Sequence, residues 1–499
     1  MKRIQKTLCL LLSALLLLSL ASCSAKGDAE DMGAAPGENA YPNYESAPEI
    51  APGDKSMVEN PFTSVEQNNV STLSADVDTA SYAYFRKLVN AGYDLTALKN
   101  SSSAFRTEEF INYFDYEISQ PGENELFGVL AQVTDCPWNV ENKLLRLTLQ
   151  AETPTVRAKN NLVFLIDVSG SMSSQDKLPL LKKAFVTLTK QLSPEDTVSI
   201  VTYSGKEEVV LSGARGNETQ RILDAINSLR ANGSTNGEAG LSMAYQVAEQ
   251  HLLPDGNNRI IMASDGDLNV GISSEEQLKS FIEGKRDQGV YLSVLGFGSG
   301  NYRDSKMETI ADNGNGVYYY IDGESEAEKV FGTDLLGTLY TVAKDVKLQL
   351  TFDKDYVAEY RLIGYENRLL NKEDFENDQK DAGDVGAGHQ VTVCYELKLK
   401  EGALTSEAPW LKLAVRYKKP AETLSLLNEY DVGRANLKES TDADIVFLTC
   451  VIETAMLLRN SQYLSDVTLS SILEKLESLD LDAYPERVEF RSLLRTLNK

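Results

Sequence analysis

Leu162-Val-Phe-Leu-Ile166 is an unbroken apolar run with no polar side chain to turn toward water, so this part of the chain needs cover on two sides. A strand of a half-solvated sheet alternates apolar and polar residues, whereas a strand of a parallel sheet layered between helices reads as one continuous apolar stretch. The residues that follow fit the second case. Apolar periodicity predicts a helix over 178–192, strands at 197–203 and 208–211, helices at 218–229 and 238–251, a strand at 259–263 and a helix at 275–288. It then predicts a strand at 290–297, a short helix near 306–310, a strand at 317–321 and a helix over 324–343. This alternation specifies an α/β unit, doubly wound around a mostly parallel sheet, with its ligand site at the carboxyl ends of the central strands.

On either side the period changes to two. Strands are predicted at 127–133 and 144–149 before the α/β unit, and at 346–352, 357–363, 391–399 and 411–417 after it. Helices are predicted at 79–92 and 106–113, and again at 442–458, 465–477 and 486–497. The α/β unit is therefore expected to be inserted into a β domain. The expected divisions are 61–159 (helical plus strand), 160–343 (α/β), 344–420 (β-rich) and 421–499 (helical).

The N-terminus carries an address. Lys2, Arg3 and Lys6 precede an apolar run from Leu8 to Leu20, shorter than the roughly 20 residues that span a bilayer. Leu20-Ala21-Ser22-Cys23 resembles a bacterial lipobox, which implies cleavage of residues 1–22 as a signal peptide and lipid on the Cys23 thiol. Residues 23–60 are rich in Ala, Gly, Pro, Glu and Ser, a composition that cannot bury enough apolar area to fold, and are expected to be a disordered linker. The expected location is outside the cytoplasm, lipid-anchored to the cell membrane or outer membrane.

Composition narrows the chemistry. With 74 acidic against 49 basic residues and a formal charge of −25, the chain lacks the basic surface that nucleic acid requires. Its two histidines, His251 and His389, leave most zinc-hydrolase and Ser-His-Asp schemes without parts. Cys136, Cys394 and Cys450 lie too far apart for a zinc site or a disulfide framework and read as small buried apolar residues, with one pair among them open. Hard divalent cations suit an acidic, oxygen-rich chain.

Three segments fall at the carboxyl edge of the predicted parallel sheet: Asp167-Val-Ser169-Gly-Ser171, Gly233-Ser-Thr235-Asn-Gly237 and Asp265-Gly266. Hydroxyls of Ser169, Ser171 and Thr235 are neutral hard donors and Asp167 and Asp265 supply charge, a set suited to Mg2+ or Mn2+. In this order, at these strand ends, they resemble the metal-ion-dependent adhesion site of the von Willebrand factor type A (VWA) domain over roughly residues 160–343. The resemblance implies that the serines and threonine ligate the ion directly, that the aspartates act largely through water, and that a partner protein's carboxylate fills an open position.

The flanks carry a second resemblance. Residues 76–83, 109–114, 136–139, 360–368 and 381–389 are similar to the terminal regions of YfbK-type bacterial lipoproteins. Two other motifs read as structural. Asp76 and Asp78 form a DxD pair immediately before a helix and are expected to cap it. Asp265, Asp267, Asn269 and Glu276 follow EF-hand spacing, but Val270 stands where the turn needs glycine. The expectation is a non-enzymatic, cation-dependent protein-binding lipoprotein of the cell envelope, with no catalytic residue. The alternatives are an envelope assembly scaffold with a structural metal, and a metal-dependent hydrolase with Asp267 as base.

Overall fold

The computed structural model describes residues 58–123, 125–153, 158–233, 237–254, 256–266, 275–298, 304–334, 337, 340–420, 422–437 and 442–499. The signal peptide, Cys23, nearly all of the linker, Thr235, Asp267 and Asn269 lie outside the described residues.

Before residue 152 the chain forms strands β1 (Thr63–Ser64) and β2 (Val70–Ser74), helices α1 (Ala80–Asn90), α2 (Leu95–Asn100) and α3 (Thr107–Ile111), then strands β3 (Phe127–Asp135) and β4 (Lys143–Ala151). The central unit follows as β5 (Asn160–Asp167), α4 (Leu178–Gln191), β6 (Thr197–Tyr203), β7 (Glu207–Arg215), α5 (Thr219–Ser228), α6 (Gly237–Gln250) and β8 (Asn257–Ser264). It continues with α7 (Glu275–Arg286), β9 (Val290–Phe297), α8 (Asp304–Asn313), β10 (Tyr318–Ile321) and α9 (Glu324–Lys329). After it come β11 (Thr341–Phe352), β12 (Val357–Ile363), β13 (Leu369–Leu370), β14 (Val385–Gly386), β15 (Gln390–Leu399), β16 (Leu411–Lys418) and β17 (Ser425–Val432), and helices α10 (Ala443–Leu458), α11 (Leu469–Glu477) and α12 (Pro485–Leu497).

The central sheet runs β10-β9-β8-β5-β6-β7, parallel except for the antiparallel edge strand β7. Every residue of β5 is buried, which is why its sequence shows no alternation. One face, with Phe164 and Ile166, packs on Leu181 and Phe185 of α4 and Ile222 and Ile226 of α5. The other face, with Val163 and Leu165, packs on Leu241 and Tyr245 of α6 and Ile282 of α7. Each such Leu, Ile or Phe gains roughly 1.5–3 kcal/mol by leaving water, so the layer order follows from the apolar pattern.

The insertion is visible in strand pairing. Leu147 of β4 stands opposite Val393 of β15, and Leu73 of β2 opposite Leu348 of β11, so strands on both sides of the α/β unit build one β region. Its antiparallel sheets, β1-β12-β15-β4-β3 and β13-β2-β11-β16-β17, share a core that includes Leu147, Leu350, Val393 and Trp410. Helix α10 carries apolar residues on every side and is nearly all buried, its Asp444 and Glu453 being met by Arg146, Arg487 and Lys475. Its Phe447 meets Phe114, just past α3, edge-on at 5.0 Å, joining the N- and C-terminal helical segments in one core. Among the described residues no helix is long and apolar enough to cross a membrane.

Three local expectations need correction. The helix expected over 324–343 is interrupted and shorter: regular α-helix runs to Lys329, a π turn follows at Val330–Asp334, Gly337 is again helical, and β11 takes over from Thr341. Gly332 weakens a helix within the π turn, and the β-branched Thr341 gains a ladder partner in Gly386. Asp76 and Asp78 do not cap α1, whose N-cap Thr79 makes no side-chain capping bond. They grip Arg368 at 3.1 and 3.0 Å, and Asp78 also accepts from the Tyr318 backbone N–H at 2.9 Å, tying the β region to the central sheet. No cysteine pair forms: Cys136, Cys394 and Cys450 are free and buried.

Candidate metal centre

Asp167 ends β5, and Asp265 follows the end of β8 directly beside it, because Ile166 pairs in register with Ala263. Parallel neighbours release their next residues at the same sheet edge, so the two carboxylates emerge side by side. Both are buried, at 0% and 6% exposure. Gly266, with φ +93°, turns the chain away immediately after Asp265 in a conformation that favours glycine.

The Ser loop is folded by its own aspartate. Asp167 Oδ1 accepts the Ser169 N–H at 2.8 Å, an Asx turn that starts a 3-10 turn at Gly170–Ser173. Ser169 Oγ then lies 3.0 Å from Ser171 Oγ. Ser169 is buried while Ser171 is exposed, so the hydroxyl pair leads from the carboxylates out to solvent.

Asp167 Oδ2 is buried with no hydrogen-bond partner, and so is the hydroxyl of Tyr203, its partner in register on β6. An orphaned carboxylate oxygen in a dry site costs free energy unless something positive meets it. Burial pushes the Asp167 carboxyl up to about 6, with the nearby Asp265 charge adding to the rise and hydrogen bonds from Ser169 opposing it. These are the properties of a site that fits a hard divalent ion: oxygen donors, an orphaned anionic atom, and two neighbouring carboxylates. Among the described residues no three His, Cys, Asp or Glu side chains gather as a metal cluster.

Thr235 lies outside the described residues, but the loop that leads to it is pinned at this edge. Asn232 N–H donates to the Val168 carbonyl at 2.7 Å, and Gly170 N–H donates to the Gly233 carbonyl at 3.1 Å. Asp167, Ser169, Ser171 and Asp265 are thus brought together. The histidines are not among them: His251 Nε2 is 3.0 Å from Ser212 Oγ, and burial holds the His389 ring below its usual range.

Sequence reasoning missed Lys177. Its Nζ donates to Asp265 Oδ2 at 2.9 Å and to the Ser171 carbonyl at 3.0 Å. The one available signal was its place at the N-cap of α4, where the helix dipole disfavours a cation.

Comparison with known proteins agrees with this architecture. Residues 161–333 match the von Willebrand factor type A domain, residues 54–146 match a further von Willebrand factor family, and residues 337–499 match the family described as uncharacterized protein YfbK, C-terminal. The uncharacterized protein YfbK of Escherichia coli (strain K12) is 40% identical over 441 residues, covering 83% of this chain and 75% of that protein. The human inter-alpha-trypsin inhibitor heavy chain H3 is 27% identical over 259 residues, covering 48% of this chain but only 29% of its own length. Among solved structures, a von Willebrand factor type A protein from Catenulispora acidiphila aligns with TM-score 0.43 and 17% identity, covering 77% of this chain and 89% of that one. The chain belongs to the YfbK family, and its inserted α/β unit is a von Willebrand factor type A domain.

Proposed function

We propose that this protein is a lipid-anchored, extracytoplasmic binding protein of the cell envelope, and that its VWA domain holds Mg2+ or Mn2+ at Asp167, Ser169, Ser171, Thr235 and Asp265. The bound ion supplies an electrophilic contact point for a carboxylate of a partner protein. The observation that carries this reading is the buried, unpartnered Asp167 Oδ2 beside Asp265 at the sheet edge, with Ser169 and Ser171 leading outward. The exposed Ser171 leaves that edge open to a partner. The anchor rests on the Leu20-Ala-Ser-Cys23 pattern and the apolar run before it. The role is binding rather than turnover, because the site offers hydroxyls and carboxylates spent on the cation and no imidazole.

The test is crosslinking in intact envelopes with and without chelator. The reading expects a partner band that chelation removes, that Mn2+ restores, and that Ser171→Ala loses. A band indifferent to chelator and to Ser171→Ala contradicts it and favours a scaffold acting through other surfaces.

A further inference from the structure

We infer that Lys177 is a built-in competitor for the cation, holding the Asp265 carboxylate with its ammonium and thereby setting a low intrinsic affinity at the site. This rests on the metal-centre reading above and adds to it a residue outside the proposed ligand set.

The ammonium is bonded to the machinery itself: Asp265 Oδ2 at 2.9 Å and the Ser171 carbonyl at 3.0 Å. The pair is largely shielded, with 14% of the Lys177 and 4% of the Asp265 side chain exposed. Lys177 sits there against its local preference, since the N-terminal end of a helix carries partial positive charge.

Its seat is built by other parts of the fold. The lysine stem crosses Gly298, which has φ +81° and at which any Cβ would overlap Lys177 Cε. The Gly298 carbonyl is held by the Tyr320 hydroxyl. The preceding residue, Asp176, accepts from Ser174 Oγ at 2.6 Å and pairs with Lys87 of α1 at 3.5 Å. The loop that aims Lys177 is therefore tied both to its own turn and to the flanking helix.

Electrostatics gives the consequence. Asp167 and Asp265 bring two negative charges and Lys177 one positive, so a divalent ion enters beside a like charge and must share or take Asp265 from it. A partner's carboxylate adds the negative charge that the lysine has offset, so ion and carboxylate should bind more tightly together than either does alone.

Calorimetry of the chain from residue 23 onward with MgCl2 and MnCl2 tests this on wild type, Lys177→Met, Lys177→Arg and Asp167→Ala. Removing the ammonium should tighten ion binding by about tenfold or more, while Lys177→Arg, which keeps the charge, stays near wild type. In excess chelator, Lys177→Met should melt below wild type, because Asp265 loses its ion pair, and Mg2+ should close the gap. Asp167→Ala should abolish binding in both backgrounds. If Lys177→Met fails to fold, Lys177→Gln is read the same way. Equal or weaker binding by a folded Lys177→Met, with wild type binding normally, overturns this inference and leaves the metal-centre reading intact. Absence of binding by wild type and Lys177→Met alike overturns both.

Discussion

Glu108 should make the protein lose stability as pH rises, and substituting it should remove that loss. The residue lies in α3 with 0% exposure, and neither carboxylate oxygen has a hydrogen-bond partner. Beside it, Gly364 and Tyr365 turn through φ +74° and +60°, and a Cβ at Gly364 would come 2.6 Å from Glu108 Oε2. That turn delivers Glu366, one oxygen of which pairs with Arg459 at 2.9 Å while the other has no partner. Burial first, then the Glu366 and Asp76 charges, push the Glu108 carboxyl from its usual 4.5 to about 7.

The sign follows from linkage. The folded state holds the proton more tightly than the unfolded state, so the stabilisation is complete below the unfolded value near 4.5 and disappears as pH passes the folded value near 7. At about 1.4 kcal/mol per pH unit across that interval, ionising Glu108 in place costs the fold about 3 kcal/mol. Glu108→Gln stays neutral at every pH. Its amide adds donors without assured partners, but that cost does not change with pH.

Urea denaturation of wild type and Glu108→Gln at several pH values between 5 and 8 gives the stability difference between the two proteins. It should move in favour of the variant by about 2–3 kcal/mol across the range. Asp384, which burial also holds at about 7, titrates in both proteins and cancels in the difference. Parallel profiles for the two proteins would contradict this prediction, because the Glu108 carboxyl would then titrate alike in the folded and unfolded chain.

Arg368 joins Asp76, Asp78 and Asp312 at 3.0–3.1 Å, so Arg368→Met strands buried carboxylates and should cost about 3–5 kcal/mol in urea denaturation. Burial pushes the Cys394 and Cys450 thiols up to about 12 and raises Cys136 as well, so none should react with a thiol reagent at pH 8 until the protein is unfolded. Intact-mass measurement after alkylation checks this, and rapid labelling of the native protein contradicts it.

Much of the fold was legible because its strongest signals are local. The apolar run Leu162–Ile166 needs cover on both faces wherever it lies, and β5 has it. Strand β2, Val70-Ser-Thr-Leu-Ser74, was not legible. Its polar residues are buried by partners hundreds of positions away, as Ser71 Oγ on the Tyr395 hydroxyl at 2.9 Å shows. Strand β17 escaped for the opposite reason, being a largely exposed edge strand whose Leu426 and Leu427 follow no clean alternation. Asp76 and Asp78 were misassigned because helix capping is a local bond, whereas their true partner Arg368 arrives from across the inserted domain. At the site, the Asp167-x-Ser-x-Ser171 spacing was readable because the Asx turn is made within the loop. Lys177 was hidden because its role depends on Asp265, which only the adjacency of β5 and β8 brings near it.

We propose that one divalent ion binds at the edge formed by β5 and β8, held through Asp167. Titration of the chain from residue 23 onward with Mn2+, followed by calorimetry and by the loss of the free-ion paramagnetic resonance signal, tests it most directly. One ion per chain is expected for wild type and none at this site for Asp167→Ala, with the fold unchanged by circular dichroism. Equal Mn2+ uptake by the two proteins would contradict it.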